Sequence, residues 1–255
     1  MVQLIDIFAK PMICLLRELV QWFEDQDIKV TPESIFVDVQ DSIDIAHPLF
    51  HQIVKEDPAR FLDNSYPLLE YLDKLKSAGK TCFLITNSPY ALVNAGMGHL
   101  VGSKWRSIFD VIIVNAKKPA FFTHRLRHIR EYRPEKKTLS WRQPEKLIPG
   151  KIYSRGNMAE LCEMTGWEGQ KVLYFGDHPY ADLADLSLNF GWRTGALIQE
   201  LDHEINVLNT PEFKWGINWS TTLQHMIEDN QHRYEKAGHA NFYIYTTGGA
   251  DPKAV

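Results

Sequence analysis

The sequence predicts an α/β protein whose parallel sheet is covered by helices. Short, continuously apolar runs recur at 82–85 (CFLI), 111–114 (VIIV), 172–175 (VLYF) and, more weakly, 194–198, the pattern of strands buried on both faces. Segments with helical spacing separate them, at 90–101, 158–165 and 180–189. Each of the three stronger runs is followed by polar residues, and an open parallel sheet takes its ligands at the carboxyl ends of its strands.

The elements follow in chain order. Apolar residues at helical spacing over 15–23 mark a first helix, and Thr31, Pro32 and Glu33 supply an N-cap, a proline at N1 and an early acid for a second. Phe61, Leu68, Leu69, Leu72 and Leu75 continue helically to Gly79, a C′ residue. The first eighty residues thus read as mostly helical. The polar, basic stretch 125–141 (RLRHIREYRPEKKTLSW) reads as a solvated excursion such as a hairpin, because Glu131 and Glu135 interrupt its positive charge. Residues 237–255 lack helical periodicity, contain Gly248-Gly249, and are expected to be mobile.

With 255 residues, 44% apolar and 24% charged, the chain is long enough for one large domain or two small ones. Lys and Arg number 28 against 32 Asp and Glu, a formal charge of −4, so no basic excess points to nucleic acid or an anionic membrane. Cys14, Cys82 and Cys162 are far apart and form no CxxC pair, which favours a reducing compartment. No run approaches the roughly 20 apolar residues of a membrane helix. The expected location is cytoplasmic; a mitochondrial one stays open because a start can be incomplete. Self-association into a homo-oligomer is left open.

The strand ends carry chemistry. Thr86-Asn87-Ser88 follows the first run, Lys117-Lys118-Pro119 the second, and Gly176-Asp177-His178-Pro179-Tyr180-Ala181-Asp182 the third. Hydroxyls and free amides hold phosphate oxygens, a lysine neutralises a transferring phosphoryl group, and carboxylates take Mg²⁺ through hard oxygen ligands. Singly, Thr86 reads equally as a strand-end cap and Asp177 as an N-cap, while Lys118 alone reads more often as a surface lysine. Hydroxyl, lysine and paired acids on three successive strands are the parts that phosphoryl transfer needs.

These motifs, FLITNS, KKPAFF and YFGDHPYAD followed by GWRT, resemble motifs II, III and IV of haloacid-dehalogenase (HAD) phosphatases, and within them the cytosolic purine 5′-nucleotidase family and its domain-containing members. The resemblance runs from about Gln3 to the helix near Glu228 and includes KIYSRGN. It implies a Rossmann-like HAD sheet flanked by helices, with a partial helical cap at the N-terminus. It also implies a Mg²⁺ cofactor and a nucleoside monophosphate or other small phosphate ester as substrate. Thr86, Asn87 and Ser88 are then the phosphate contacts, Lys118 the charge-stabilising catalytic residue, Asp177 the metal ligand and Asp182 a residue organising the metal site. Segment 36–47 resembles the family's nucleoside-recognition segment, with Asp44 and His47 at matching positions. Gln40 and Pro48 stand where the purine-specific enzyme has Arg and Tyr, and hydrogen bonding on a helix face is an equal reading of Asp44 and His47.

HAD hydrolysis uses a DxDx(T/V) motif whose first Asp attacks phosphorus and whose second is the general acid and base. The sequence contains none. Asp38, Asp41 and Asp44 are spaced by three, on one helical face, within the nucleoside segment. By the resemblance, the nucleophile strand lies upstream of that segment and centrally in the sheet, between the strands of motifs II and IV. The expectation is a truncated, inactive form: 1–57 a cap remnant, 58–235 a partial HAD core lacking its central strand, and 236–255 a mobile tail. The alternative is a non-catalytic regulatory or interaction protein on the same scaffold.

Overall fold

The computed structural model describes residues 10–198 and 201–236. The chain divides into two compact units, Met1–Leu197 and Ile198–Val255. The tail expected at 236–255 lies, after Lys236, outside the described residues.

The first unit begins with helices α1 (Lys10–Asp25) and α2 (Pro32–Glu56), which pack on each other. Pro32 occupies N1 of α2, where its missing N–H costs nothing. Thr31 is the N-cap, but its hydroxyl bonds the Ser34 hydroxyl at 2.7 Å instead of capping a backbone amide. A short α3 (Pro58–Phe61) and α4 (Leu68–Ser77) lead to β1 (Phe83–Ile85). Helix α5 (Tyr90–Leu100), on which α2 packs, connects β1 to β2 (Val111–Val114). A short α6 (Ala120–Thr123), the hairpin β3 (Arg130–Arg133) and β4 (Thr138–Leu139), and β5 (Ile152–Ser154) follow. Then come α7 (Met158–Thr165), β6 (Leu173–Gly176), one π-helical turn (Pro179–Ala184), α8 (Asp185–Phe190) and β7 (Arg193–Ala196).

Five strands form one sheet in the order β1-β2-β5-β3-β4. The β1-β2 and β2-β5 pairs are parallel and the hairpin is antiparallel to β5, so the sheet is mixed but parallel where the apolar runs lie. β2 is its axis. Val111 and Ile113 face a core with Phe121, Phe122, Tyr153 and Leu161, whereas Ile112 and Val114 face a second with Trp105, Phe109 and Ile152. That alternation is the two-residue period of a strand covered on both faces.

β6 and β7 form a separate two-stranded parallel sheet. β6 departs from the expected double burial: Tyr174 and Gly176 are buried, but Leu173 and Phe175 are about half exposed. Among the described residues, no ladder joins β6 to β1. Side chains link the two sheets instead. The Phe83 ring lies 4.7 Å from Trp167, 5.9 Å from Trp192 and 6.1 Å from Tyr174, centroid to centroid. The Trp192 indole N–H is buried there without a hydrogen-bond partner among the described residues.

The second unit contributes α9 (Leu201–Leu208) and α10 (Pro211–Lys236). Among the described residues, no helix is long and apolar enough to cross a membrane, and all three cysteines are free thiols.

Candidate active site

β1 and β2 end side by side, so the loops that follow them are pinned together. Thr86 donates its N–H to Ile113 O at 2.9 Å, and Thr86 O accepts from Ala116 N at 3.0 Å. Thr86 Oγ1 accepts from Ser88 N at 3.1 Å. Asn87 clamps the backbone of Lys118 on both sides: its Nδ2 donates to Lys118 O at 3.0 Å and its Oδ1 accepts from Lys118 N at 2.6 Å. The side chain expected to meet phosphate is thereby used to orient the lysine.

Lys118 reaches from there to the third strand end. Its Nζ donates to Asp182 Oδ1 at 2.6 Å and to the Tyr174 hydroxyl at 3.1 Å. The pair is withdrawn from water, with side chains 12% and 4% exposed, so each charge depends on the other. The Tyr174 hydroxyl lies 3.3 Å from Asp182 Oδ1 and 3.4 Å from Ile85 O, and can donate to one of them. Burial first, then the Asp182 carboxylate, push its phenol far above the usual tyrosine range. It is a neutral donor at any working pH.

The turn after β6 sets Asp182. Asp182 N donates to His178 O at 3.0 Å, and Asp182 Oδ2 accepts from His178 N at 3.4 Å. Gly176 leaves room for the returning carboxylate, since a Cβ there would lie 2.7 Å from Asp182 Cγ. Asp177 is exposed beyond the strand end, and no hydrogen bond to its carboxylate occurs among the described residues.

Thr86, Asn87, Lys118 and Asp182 thus meet where the ends of β1, β2 and β6 approach one another, and Tyr174 joins them, unmarked in the motif reading. Its signal was the alternation of VLYFG, which turns the tyrosine inward. Asp44 and His47 belong elsewhere, exposed on α2. Asp44 accepts from Gln40 Nε2 at 3.1 Å, and the His47 ring lies 4.2 Å from that of His51. Neither shares a hydrogen bond or ion pair with the strand-end group among the described residues. His51, four residues on from His47, was missed; burial first, then His47, hold its pKa below the ordinary value.

Among the described residues, no cluster of three or more His, Cys, Asp or Glu side chains is placed to hold a metal ion. With Asp182 engaged by Lys118, Asp177 is the open carboxylate of the site. One carboxylate fits a hexacoordinate cation only if water and substrate phosphate supply the other oxygens. The sole D-x-D of the chain, Asp25–Asp27, closes α1 instead of a core strand, and Asp27 has a left-handed backbone (φ 53°).

Parallel strands of two sheets whose ends bring hydroxyls, a lysine and carboxylates together define a class, and the comparison with known proteins names it: the chain belongs to the 5′ nucleotidase family, whose model matches residues 1–248. It is 41% identical over 231 residues to 5′-nucleotidase domain-containing protein 2 of Homo sapiens, covering 90% of this chain and 44% of that protein. The rat protein of the same name is 41% identical, with 42% of it covered. A 5′-nucleotidase domain-containing protein of Dictyostelium discoideum is 36% identical over 237 residues, 89% of this chain and 40% of that one. The chain spans less than half the length of these relatives.

Proposed function

We propose that this chain carries the phosphate-binding pole of a Mg²⁺-dependent, HAD-type 5′-nucleotidase-like phosphohydrolase without its nucleophile, and that it is inactive alone. The complete family member would remove the 5′-phosphate of a nucleoside monophosphate. The Lys118–Asp182–Tyr174 contact opposite Thr86 carries the reading. Thr86 and Ser88 would bind phosphate oxygens, with Asn87 orienting Lys118; Lys118 would offset the charge that develops on the transferring group. Asp177 would be a metal ligand and Asp182 would fix Lys118. Segment 1–57 would be part of the cap, with Asp44 and His47 facing the nucleoside.

The inactivity follows from the chemistry. Without DxDx(T/V) the chain lacks the paired aspartates of the covalent mechanism, Asp177 being assigned to the metal, and positioning groups alone recover little of that mechanism. The absent nucleophile strand would lie between β1 and β6, which no ladder joins among the described residues. Phosphate release from nucleoside monophosphates tests the proposal, with Asp177→Asn as the contamination control. No turnover is expected from the chain, and recovery is expected when the family's upstream segment with both aspartates is joined to it. Robust turnover of the chain that Asp177→Asn abolishes would show that the nucleophile lies within these 255 residues. Failure to recover turnover in the joined chain would favour a non-catalytic scaffold.

A further inference from the structure

Two parallel neighbours, β2 and β5, end beside one another, and their exits are unlike ordinary turns. Asn115 and Lys117 after β2, and Arg155 after β5, hold left-handed backbones at φ 48°, 66° and 63°. Non-glycine residues enter that region at a cost and gather where function requires it. Gly156 follows at φ 106°, and a Cβ there would overlap the Ile129 side chain, so the loop lies hard against the start of β3.

A cavity of about 410 Å³ opens at this point, within the range of small-molecule sites. Among the described residues, Lys117, His124 and Arg127 line it with no acidic residue among its walls, and the exposed Leu126 supplies apolar surface above the buried Phe121. The side chains of these three basic residues form no hydrogen bond or ion pair among the described residues. The nearby Glu160 is occupied, accepting from Ile129 N at 2.8 Å and pairing with His128. Arg127 is held at the rim through its backbone, where its carbonyl accepts from the buried Asn157 Nδ2 at 2.8 Å. The cavity at the opposite end of β5 differs: Lys151 pairs with Glu131 there and Arg142 with Glu145. Lys118 directs its ammonium to Asp182 and Tyr174, while its neighbour Lys117 lines this second cavity.

We propose that this cavity is a second anion subsite, separate from the Thr86–Lys118 pole, that takes the phosphoryl or phosphonyl group of a small organic phosphate and rests its apolar body against Leu126. The inference goes beyond the hydrolytic reading and stands whether or not the chain turns over any ester. Lys117 and Arg127 supply charge-assisted donors for the oxyanion, and no carboxylate among the described residues of the cavity wall compensates their charge.

Phenylphosphonate, which cannot be hydrolysed, is the probe. Titrated into the 255-residue chain, it is expected to shift the His124 ring and Arg127 guanidinium NMR signals in a saturable way, and more tightly than inorganic phosphate does. Arg127→Ala with Lys117→Asn, an exchange that keeps a residue tolerant of the left-handed backbone, is expected to weaken binding by roughly tenfold or more. Thr86→Val should leave the titration unchanged, with unfolding midpoints confirming that every variant is folded. Shifts that never saturate, or that persist unaltered in the Arg127 and Lys117 variant, would overturn the subsite. Loss of the shifts in Thr86→Val would place the anion at the other pole and overturn its separateness. Equal affinity for inorganic phosphate would overturn the organic part of the assignment.

Discussion

Lys118 and Asp182 illustrate how a residue's role depends on what surrounds it. A lysine after a strand is ordinarily solvated; here its ammonium is buried against one carboxylate and one phenol. Removing one partner strands the other charge, so Asp182→Asn is expected to cost about 3 kcal/mol in urea unfolding. Lys118→Met with Asp182→Leu should recover most of that loss, because an apolar pair needs no counter-charge. A loss below about 1 kcal/mol for the single variant would mean that water reaches the pair, as for exposed ion pairs. His51 gives a pH-dependent expectation. Its folded pKa lies below the ordinary 6.5, by burial first and the His47 ring second. The unfolded chain therefore binds more protons as the pH falls. The stability contributed by a neutral His51 is complete above about pH 6.5 and is lost as the pH drops through the lowered folded value. Unfolding midpoints should fall from pH 7 to pH 5, and His51→Gln should flatten that fall more than His47→Gln does.

Among the elements, β2 was legible to the residue, because VIIV is buried on both faces and nothing competes with that pattern. The turn after β6 was not. Spacing implied a continuous helix over 180–189, whereas the chain makes a π turn over Pro179–Ala184 before α8 begins at Asp185. The wider turn carries Asp182 back over Gly176 toward Lys118, and no apolar period announces it because the driving contact is polar and distant in sequence. Gly176→Ala puts a Cβ 2.7 Å from Asp182 Cγ, and relieving it would displace the turn. A stability loss of roughly 1 to 3 kcal/mol is expected from overpacking, together with a rise in proteolytic cutting near 179–184; an unchanged melting midpoint would contradict the close approach. Pro48 lies inside α2 and gives no N–H to the carbonyl four residues earlier. Pro48→Ala should raise helicity and the melting midpoint, as circular dichroism can record.

At the scale of the molecule, the division of the strands into two sheets governs which backbone opens first. Among the described residues, β2 has hydrogen-bonded neighbours on both sides, β1 on one, and β6 pairs with β7 alone. Amides of β2 should exchange with deuterium most slowly, and those of β6 and β7 faster, because local opening follows the number of partners that must be broken. Equal protection in β2 and β6 would mean that the two sheets open as one. Mg²⁺ should bind weakly, since Asp177 is an open carboxylate with little help from its neighbours; tight stoichiometric binding by calorimetry would reveal ligands that the described residues do not bring together.

Local pattern was enough to place β1, β2 and β6 as short strands, the helices within 10–77 and the hairpin within 125–141, though not the half exposure of β6, because burial and turn chemistry act over a few residues at a time. The order of motifs singled out Thr86, Lys118, Asp177 and Asp182 as candidates, since parallel strands present their carboxyl ends on one side. Only the folded chain decided which of those groups touch. Asn87 spends its amide on the Lys118 backbone, Lys118 chooses Asp182, and Tyr174 enters the group from the strand interior. Asp44 and His47 remain apart on α2. Such choices rest on contacts between residues 31 to 64 positions apart in sequence, where hydrogen-bond geometry and desolvation select one partner among several of suitable chemistry.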